Sequence, residues 1–152
     1  MPQRTIGSLI LSAIVSPPNS STRSTRMNQT KPHVAVVDDD NSFARSLERL
    51  FRASGFKVVT YSSAEAYLAP TPRPRPDCLV LDIQLGGMSG LDLLRFLREV
   101  GDPAPVIFVT AHDATGVRRE AEQGGCAAYL LKPVRGRTLL EAVNKAIHPD
   151  SR

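Results

Sequence analysis

HVAVVDDD, residues 33–40, joins an apolar run directly to three consecutive aspartates. The apolar part, residues 34–37, contains three valines and one alanine and predicts a buried β-strand. Asp38, Asp39 and Asp40 then crowd three negative charges together. At an effective dielectric near 20, each pair of carboxylates about 4 Å apart costs roughly 4 kcal/mol. We therefore expect that a cation offsets this repulsion or that the three side chains point in different directions.

The rest of the chain repeats this alternation of strand and helix. Four more apolar runs predict strands at residues 56–60, 78–81, 106–109 and 127–131. Apolar residues at helical spacing predict helices at 42–54, 62–68, 89–97, 114–123 and 139–147. Ser62 and Glu65 predict a capping box at the start of the second helix. Five strand–helix repeats predict an α/β fold in which helices cover both faces of an open parallel sheet.

The formal net charge of +4 lies mostly outside this repeating part of the chain. Residues 1–26 contain three arginines and no acidic residue, so the other 126 residues carry only +1. A basic surface for nucleic acid is therefore not expected on the folded part. The two cysteines, Cys78 and Cys126, are too few for a disulfide framework or a metal cluster, and each lies beside an apolar run. They are expected to be small buried thiols in a reducing compartment.

The N-terminal segment allows three interpretations. Residues 6–15 are apolar and follow Arg4, which is the outline of a short signal peptide but is too short to span a bilayer. Residues 16–26 are polar and have the composition of a disordered tail. In the third interpretation, which we favour, translation starts at Met27 and no export or membrane association takes place. The predicted organisation is a disordered or mis-assigned extension at 1–31, one cytoplasmic domain at 32–148 and a tail at 149–152.

Polar residues follow four of the predicted strands, and the carboxyl ends of parallel strands meet at one crevice. They are the three aspartates already named, Asp82, Thr110 and Lys132. Singly, such residues are usually helix caps, satisfied hydroxyl groups or solvated ammonium groups. Together they indicate a site. Asp40 directly precedes a helix and is expected to be its N-cap rather than a ligand.

The chemistry of this predicted site follows from its residue types. Clustered carboxylates suit a hard divalent cation such as Mg²⁺, which would also offset their mutual repulsion. A carboxylate next to that cation can attack phosphorus and form an acyl phosphate. A hydroxyl group and an ammonium group can bind the phosphoryl oxygens as negative charge builds on them.

Four segments carry a resemblance to a known family. They are VVDDD at 36–40, LDIQLGGMSG at 81–90, VTA at 109–111 and YLLKP at 129–133. With these segments the chain resembles response-regulator receiver domains over about residues 32–147. The resemblance implies a flavodoxin-like, doubly wound (βα)5 fold with strand order 2-1-3-4-5. The segments at 63–68 and 88–94 resemble those of receivers that usually precede a helix-turn-helix output domain.

The resemblance also implies a role for each matching residue. Asp82 matches the phosphoacceptor, which binds Mg²⁺ together with Asp38, Asp39 and the backbone carbonyl of Gln84. The other matches are Thr110 to the switch hydroxyl, Lys132 to the lysine that contacts phosphate, Pro133 to a cis-proline, and Tyr129 to an aromatic residue that changes rotamer on activation. The chain departs from the family at Gly86, where proline is usual, and at Val134, where phenylalanine is common.

Two other functions are alternatives to a signalling module. A phosphotransferase or phosphatase with an aspartyl nucleophile would need an Asp-x-Asp motif and a cap domain over the site. A nucleotide- or flavin-binding module would need a loop rich in glycine or in serine and threonine after the first strand.

The partners expected of a signalling module follow from the resemblance. They are a histidine kinase or histidine phosphotransfer protein and a downstream protein target. Residues 148–152 are too few for an output domain, so a stand-alone receiver is expected, without direct binding to nucleic acid. A homodimer through the face made by the fourth helix, fifth strand and fifth helix is a further expectation.

Overall fold

The computed structural model of the chain describes residues 30–150. The predictions made for residues 1–29 and for 151–152 lie outside this range. Within it, five strands and five helices alternate along the chain, as predicted.

The strands form one parallel sheet. They are β1 (His33–Val37), β2 (Lys57–Tyr61), β3 (Cys78–Leu81), β4 (Val106–Thr110) and β5 (Ala128–Leu131). Their order in the sheet is β2-β1-β3-β4-β5, and every neighbouring pair is parallel. The predicted α/β fold and strand order are therefore confirmed. Because the chain adds strands in opposite directions from β1, the loops after β1 and β3 diverge and leave a crevice between them.

Helices cover both faces of this sheet. They are α1 (Asn41–Ala53), α2 (Ala64–Leu68), α3 (Gly90–Glu99), α4 (Thr115–Gln123) and α5 (Gly136–Ile147). Alternate residues of each strand point to opposite faces, so β1 sends Val34 and Val36 toward α1 and α5 and sends Ala35 and Val37 toward the other three helices. The central strands β3 and β4 are buried along their whole length, as continuous apolar runs predict.

Two helix starts differ from the predictions by more than one residue. The N-cap of α2 is Ser63 rather than Ser62: its hydroxyl accepts from Ala66 N–H at 2.9 Å. Glu65 lies in the first turn of α2 but accepts from a distant residue, so the predicted capping box is wrong. Helix α5 begins at Gly136, three residues before the predicted start. A side chain at Gly136 would press on Leu50 of α1, with a Cβ about 3.2 Å from Leu50 Cδ1, so close helix packing explains a glycine in this first turn.

The cysteines only partly match the prediction. Cys78 is fully buried at the start of β3, and burial raises the pKa of its thiol to about 12. Cys126 is only half-buried, because it lies in the turn between α4 and β5 rather than inside a strand. Both are free thiols.

Candidate functional site

A cleft of about 920 Å³ lies at the carboxyl ends of the strands. Its walls include Asp39, Asp82, Thr110 and Lys132, together with the loop that follows β3. The sheet topology thus brings together the polar strand ends that the sequence predicted to meet.

The three aspartates after β1 do not share one role. Asp38 is buried and Asp39 is exposed, and each offers a carboxylate oxygen to a cluster with Asp82 in which the three oxygens lie within 4.8 Å of one another. Asp40 turns to α1 and accepts from Phe43 N–H at 3.1 Å, so it is the predicted N-cap. The Asp40 N–H in turn donates to Asp38 Oδ1 at 2.9 Å. Both ways of limiting the repulsion among the three aspartates therefore apply. The Asp40 side chain points away from the other two, and Asp38 and Asp39 form with Asp82 a cluster suited to a cation.

Lys132 neutralises part of the charge of this cluster. Its Nζ lies 2.9 Å from Asp38 Oδ2 and 3.0 Å from Asp82 Oδ2. The same ammonium group lies 4.3 Å from the centre of the Phe43 ring, on the first turn of α1. Three carboxylates and one ammonium leave a formal charge of −2 around oxygen donors, which is the charge and donor type that suits Mg²⁺. The residues present therefore fit the expected metal.

Burial governs the electrostatics of this group. It raises the pKa of Asp38, and hydrogen bonds from Asp40 N–H and Lys132 offset that rise only in part. Burial alone would lower the pKa of Lys132, but the hydrogen bonds to Asp38 and Asp82 outweigh it, and the pKa is raised. Lys132 therefore stays charged, whereas keeping Asp38 ionised in the folded protein costs free energy.

Thr110 and Tyr129 both bind the backbone of His112. Thr110, which is 1% exposed, ends β4, and its Oγ1 accepts from His112 N–H at 3.2 Å. The Tyr129 hydroxyl donates to the His112 carbonyl at 2.7 Å. The centre of the Tyr129 ring lies 6.1 Å from the centre of the Phe108 ring and 5.5 Å from the guanidinium carbon of Arg118. One backbone segment thus connects the two residues that the resemblance assigned to a switch.

The loop after β3 borders the cleft on its other side. Gln84 N–H donates to Asp82 Oδ1 at 3.3 Å, and Gly90 N–H donates to the Ile83 carbonyl at 2.8 Å. Gly90 has no room for a side chain, since a Cβ there would overlap the carbonyl oxygen of Asp82. Gly86, at the position where the family usually has proline, has a φ of +84°. On the opposite side of the cleft, the peptide bond between Lys132 and Pro133 is cis.

Sequence reasoning missed three contributors to this site. Helical spacing predicts only a place on the apolar face of a helix for Phe43, Glu65 is expected in a capping box, and no contact is predicted for His112. The position of Phe43 in the sequence does indicate its place near the site. It lies in the first turn of a helix that follows a strand end, and such residues lie beside the crevice. The contacts of Glu65 and His112 depend on loop conformations that carry no periodic pattern.

Comparison with known proteins agrees with this geometry. A family profile described as "Response regulator receiver domain" matches residues 34–144. The chain belongs to the response regulator receiver domain family. The match favours the signalling module over the phosphotransferase and nucleotide-binding alternatives.

Several curated proteins are similar to this receiver domain. Nodulation protein W of Bradyrhizobium diazoefficiens is 42% identical over 121 residues, which cover 80% of this chain and 53% of that protein. Response regulator protein TmoT of Ectopseudomonas mendocina is 36% identical over 121 residues, covering 80% and 55%. The transcriptional regulatory protein FixJ of Rhizobium meliloti is 34% identical over 113 residues, covering 74% and 55%. The chain spans about half the length of the curated relatives it matches.

Solved receiver structures share the fold. A response regulator receiver protein from Burkholderia phymatum is 42% identical with a TM-score of 0.67, over 77% of this chain and 95% of that one. The receiver domain of the Francisella response regulator 1452 is 27% identical with a TM-score of 0.73, over 80% of this chain and 100% of that one. This chain is therefore similar to a receiver domain of two-component response regulators in both sequence and fold. Such domains bind Mg²⁺ at an acidic pocket and work with histidine kinases and downstream targets.

Proposed function

We propose that this receiver domain accepts a phosphoryl group on Asp82 from the phosphohistidine of a histidine kinase or histidine phosphotransfer protein. The observation that carries the proposal is the position of Asp82. Its carboxylate lies in the acidic cluster, within 3.0 Å of Lys132, and it lines the cleft, so a donor can reach it. No other described aspartate combines these three properties.

The chemistry is a transfer between two side chains. A carboxylate oxygen of Asp82 attacks phosphorus, the bond between phosphorus and the donor's imidazole nitrogen breaks, and an acyl phosphate forms while the imidazole takes up a proton. The Lys132 ammonium lies close enough to Asp82 to bind the phosphoryl oxygens as negative charge develops on them. Asp38, Asp39, Asp82 and the backbone carbonyl of Gln84 would hold Mg²⁺. The bound ion would neutralise phosphoryl oxygens at the cluster. On this proposal the domain acts on itself and is not an enzyme for other substrates.

The read-out of this phosphoryl group involves Thr110 and Tyr129. A phosphoryl group on Asp82 presents acceptors for the Thr110 hydroxyl, whose oxygen now accepts from His112 N–H. The Tyr129 hydroxyl donates to the carbonyl of His112. Movement of the backbone at His112 would therefore change the hydrogen bond that holds the tyrosine ring. Phosphorylation would thereby shift the population between two packings of the face made by α4, β5 and α5. That face is the proposed surface for a downstream protein or for a homodimer.

We place the domain in the cytoplasm, where a phosphohistidine donor is available. Among residues 30–150, no helix has the length and apolar character needed to cross a membrane. The folded part has almost no net charge, so its output is proposed to be contact with a protein rather than with nucleic acid.

The test of the phosphoacceptor uses intact mass. Incubation with Mg²⁺ and acetyl phosphate should add one phosphoryl group that is lost at alkaline pH. Asp82→Asn should abolish the addition, and Asp113→Asn, which changes an exposed aspartate outside the cluster, should leave it unchanged. An undiminished addition in Asp82→Asn would refute the proposal.

The test of the switch uses phospho-dependent association. Thr110→Ala should leave phosphorylation of Asp82 possible but remove the gain in dimerisation or partner binding that phosphorylation gives. Analytical ultracentrifugation of the phosphorylated protein and the variant measures the difference. If the gain persists in both Thr110→Ala and Tyr129→Ala, the switch lies elsewhere.

A further inference from the structure

The loop of residues 83–88 is held at its far end by a side chain from a different element. Glu65, in the first turn of α2, sends its carboxylate to this loop, and Oε2 accepts from Met88 N–H at 3.0 Å. The pKa of Glu65 is lowered, first of all by this hydrogen bond. The contact joins residues 23 positions apart in sequence.

The backbone next to this contact leaves room for the carboxylate. Gly87 lies directly before Met88, and a Cβ on it would stand 2.5 Å from Glu65 Oε2. The φ of Gly87 is outside the left-handed region, so the backbone conformation alone does not call for glycine there. The space that Gly87 leaves is the space that the Glu65 carboxylate fills.

Within the loop, Ile83 and Leu85 are buried in the core, whereas the glycine stretch between Leu85 and Met88 has no such anchor. Gly86 and Gly87 are consecutive, both are exposed, and Gly86 has a positive φ with nothing within 4 Å of a Cβ placed on it. Glycine loses more conformational freedom on ordering than any other residue, so this stretch gains most from an external contact. Gly90 holds the loop at the Asp82 side, through the Ile83 carbonyl, and Glu65 holds it at Met88.

We propose that Glu65 is a positioning residue for the acidic site. By binding Met88 N–H, its carboxylate restrains the loop that contains Gln84, and so orders the side of the cleft that completes the metal site. The inference rests on the proposed function, in which the Gln84 carbonyl binds Mg²⁺. It adds a residue from α2, which lies outside the strand ends, to the support of that site.

Two substitutions separate the hydrogen bond from the charge. Glu65→Gln removes the negative charge but keeps an oxygen that can accept from Met88 N–H, whereas Glu65→Ala removes both. Gly87→Ala introduces a methyl group where the carboxylate lies and should displace it without changing Glu65 itself. If both residues act through one contact, the double variant Glu65→Ala with Gly87→Ala should be no worse than either single variant.

The first measurement is amide hydrogen exchange of the metal-free protein, followed by NMR. Exchange of the Met88 amide should be roughly five- to tenfold faster in Glu65→Ala and in Gly87→Ala, as expected when one solvent-exposed hydrogen bond of ordinary strength is lost. In Glu65→Gln it should stay close to the wild-type rate. Unchanged Met88 exchange in Glu65→Ala would overturn the contact.

The second measurement is Mg²⁺ affinity, followed by calorimetric titration. Glu65→Ala should bind Mg²⁺ about tenfold more weakly, the lower end of the loss for residues that support metal ligands. Glu65→Gln should stay within about twofold of wild type on the same reasoning. Equal affinities of Glu65→Ala and Glu65→Gln would overturn the positioning role even if Met88 exchange changes. Failure of the wild-type protein to accept phosphate on Asp82 would instead refute the proposed function, because neither measurement on Glu65 uses phosphate.

Discussion

Two strand-to-helix junctions form the walls of the cleft, and they are built in different ways. The junction from β1 to α1 is three residues long, 38–40, and its side chains bond to backbone a few positions away. The junction from β3 to α3 is eight residues long, 82–89, contains two glycines and is held at Met88 by Glu65 of α2. The short junction combines local hydrogen bonds with one distant contact, from Lys132 to Asp38, whereas the long junction has an exposed glycine stretch that is held from α2.

The difference matters for a receiver domain. On the proposed function, Asp38 and Asp39 would bind a metal before any phosphoryl group arrives, and a short junction would let them do so with little reorganisation. On the same proposal, the surroundings of Asp82 would have to accommodate a phosphoryl group that is added and removed. A longer junction allows that change while Asp82 itself stays anchored by its N–H, which donates to the Val37 carbonyl at 3.0 Å.

The largest expected effect comes from removing the cation that joins the two junctions. Lys132→Ala leaves Asp38 and Asp82 close together in a buried place without their shared ammonium group. Breaking a buried ion pair costs about 3 to 5 kcal/mol, and since the Lys132 side chain is 20% exposed we expect a loss of about 2 to 3 kcal/mol in the free energy of unfolding. Urea unfolding of the metal-free protein at neutral pH measures it. Lys145→Ala, an exposed lysine on α5, is the control and should change little.

This loss should depend on pH and on metal. Burial already raises the pKa of Asp38, and removing Lys132 raises it further above the unfolded value of 3.8. The folded state of Lys132→Ala then favours the protonated form of Asp38. The loss of stability is therefore present above the raised pKa of Asp38 and shrinks as the pH falls through that pKa. Mg²⁺ should also restore part of the stability, because it binds the folded state only. A deficit that neither acid nor Mg²⁺ reduces would show that Lys132 acts by packing rather than by charge.

The sequence predicted most of this site because its chemistry sits at strand ends. Thr110 ends β4, and Asp38, Asp82 and Lys132 directly follow β1, β3 and β5. A parallel sheet has to bring such ends to one edge. The strand order came from the resemblance, since the pattern of strands and helices is compatible with several orders. The path of the long junction from β3 to α3 could not be predicted from the sequence. No periodic pattern records that Glu65 crosses from α2 to Met88, or that Gly136 starts α5 against Leu50.

A smaller effect should distinguish neighbouring aspartates within the short junction. Asp39 offers an oxygen to the cluster and Asp40 caps α1, so Asp39→Asn should weaken Mg²⁺ binding by about tenfold or more, and Asp40→Asn should change it far less. Removing the Asp39 charge also relieves repulsion, so the metal-free Asp39→Asn protein should melt at a higher temperature than wild type. Calorimetric titration and thermal melting measure the two effects. Equal Mg²⁺ affinity in wild type and both variants would refute the division of roles.

The smallest effect tests whether the two junctions differ only in the residues that link strand to helix, and not in the N-caps of the helices that follow. Both end in a side-chain cap: Asp40 accepts from Phe43 N–H at 3.1 Å, and Ser89 accepts from Asp92 N–H at 3.1 Å within a capping box. Replacing an N-cap by alanine costs about 1 kcal/mol, so Asp40→Ala and Ser89→Ala should lower the free energy of unfolding by similar amounts in urea. Ser46→Ala, an exposed change inside α1, is the matched control. A loss for Ser89→Ala well above that for Asp40→Ala would mean that the cap of α3 also holds the long loop, and the contrast between the junctions would then extend into the helices themselves.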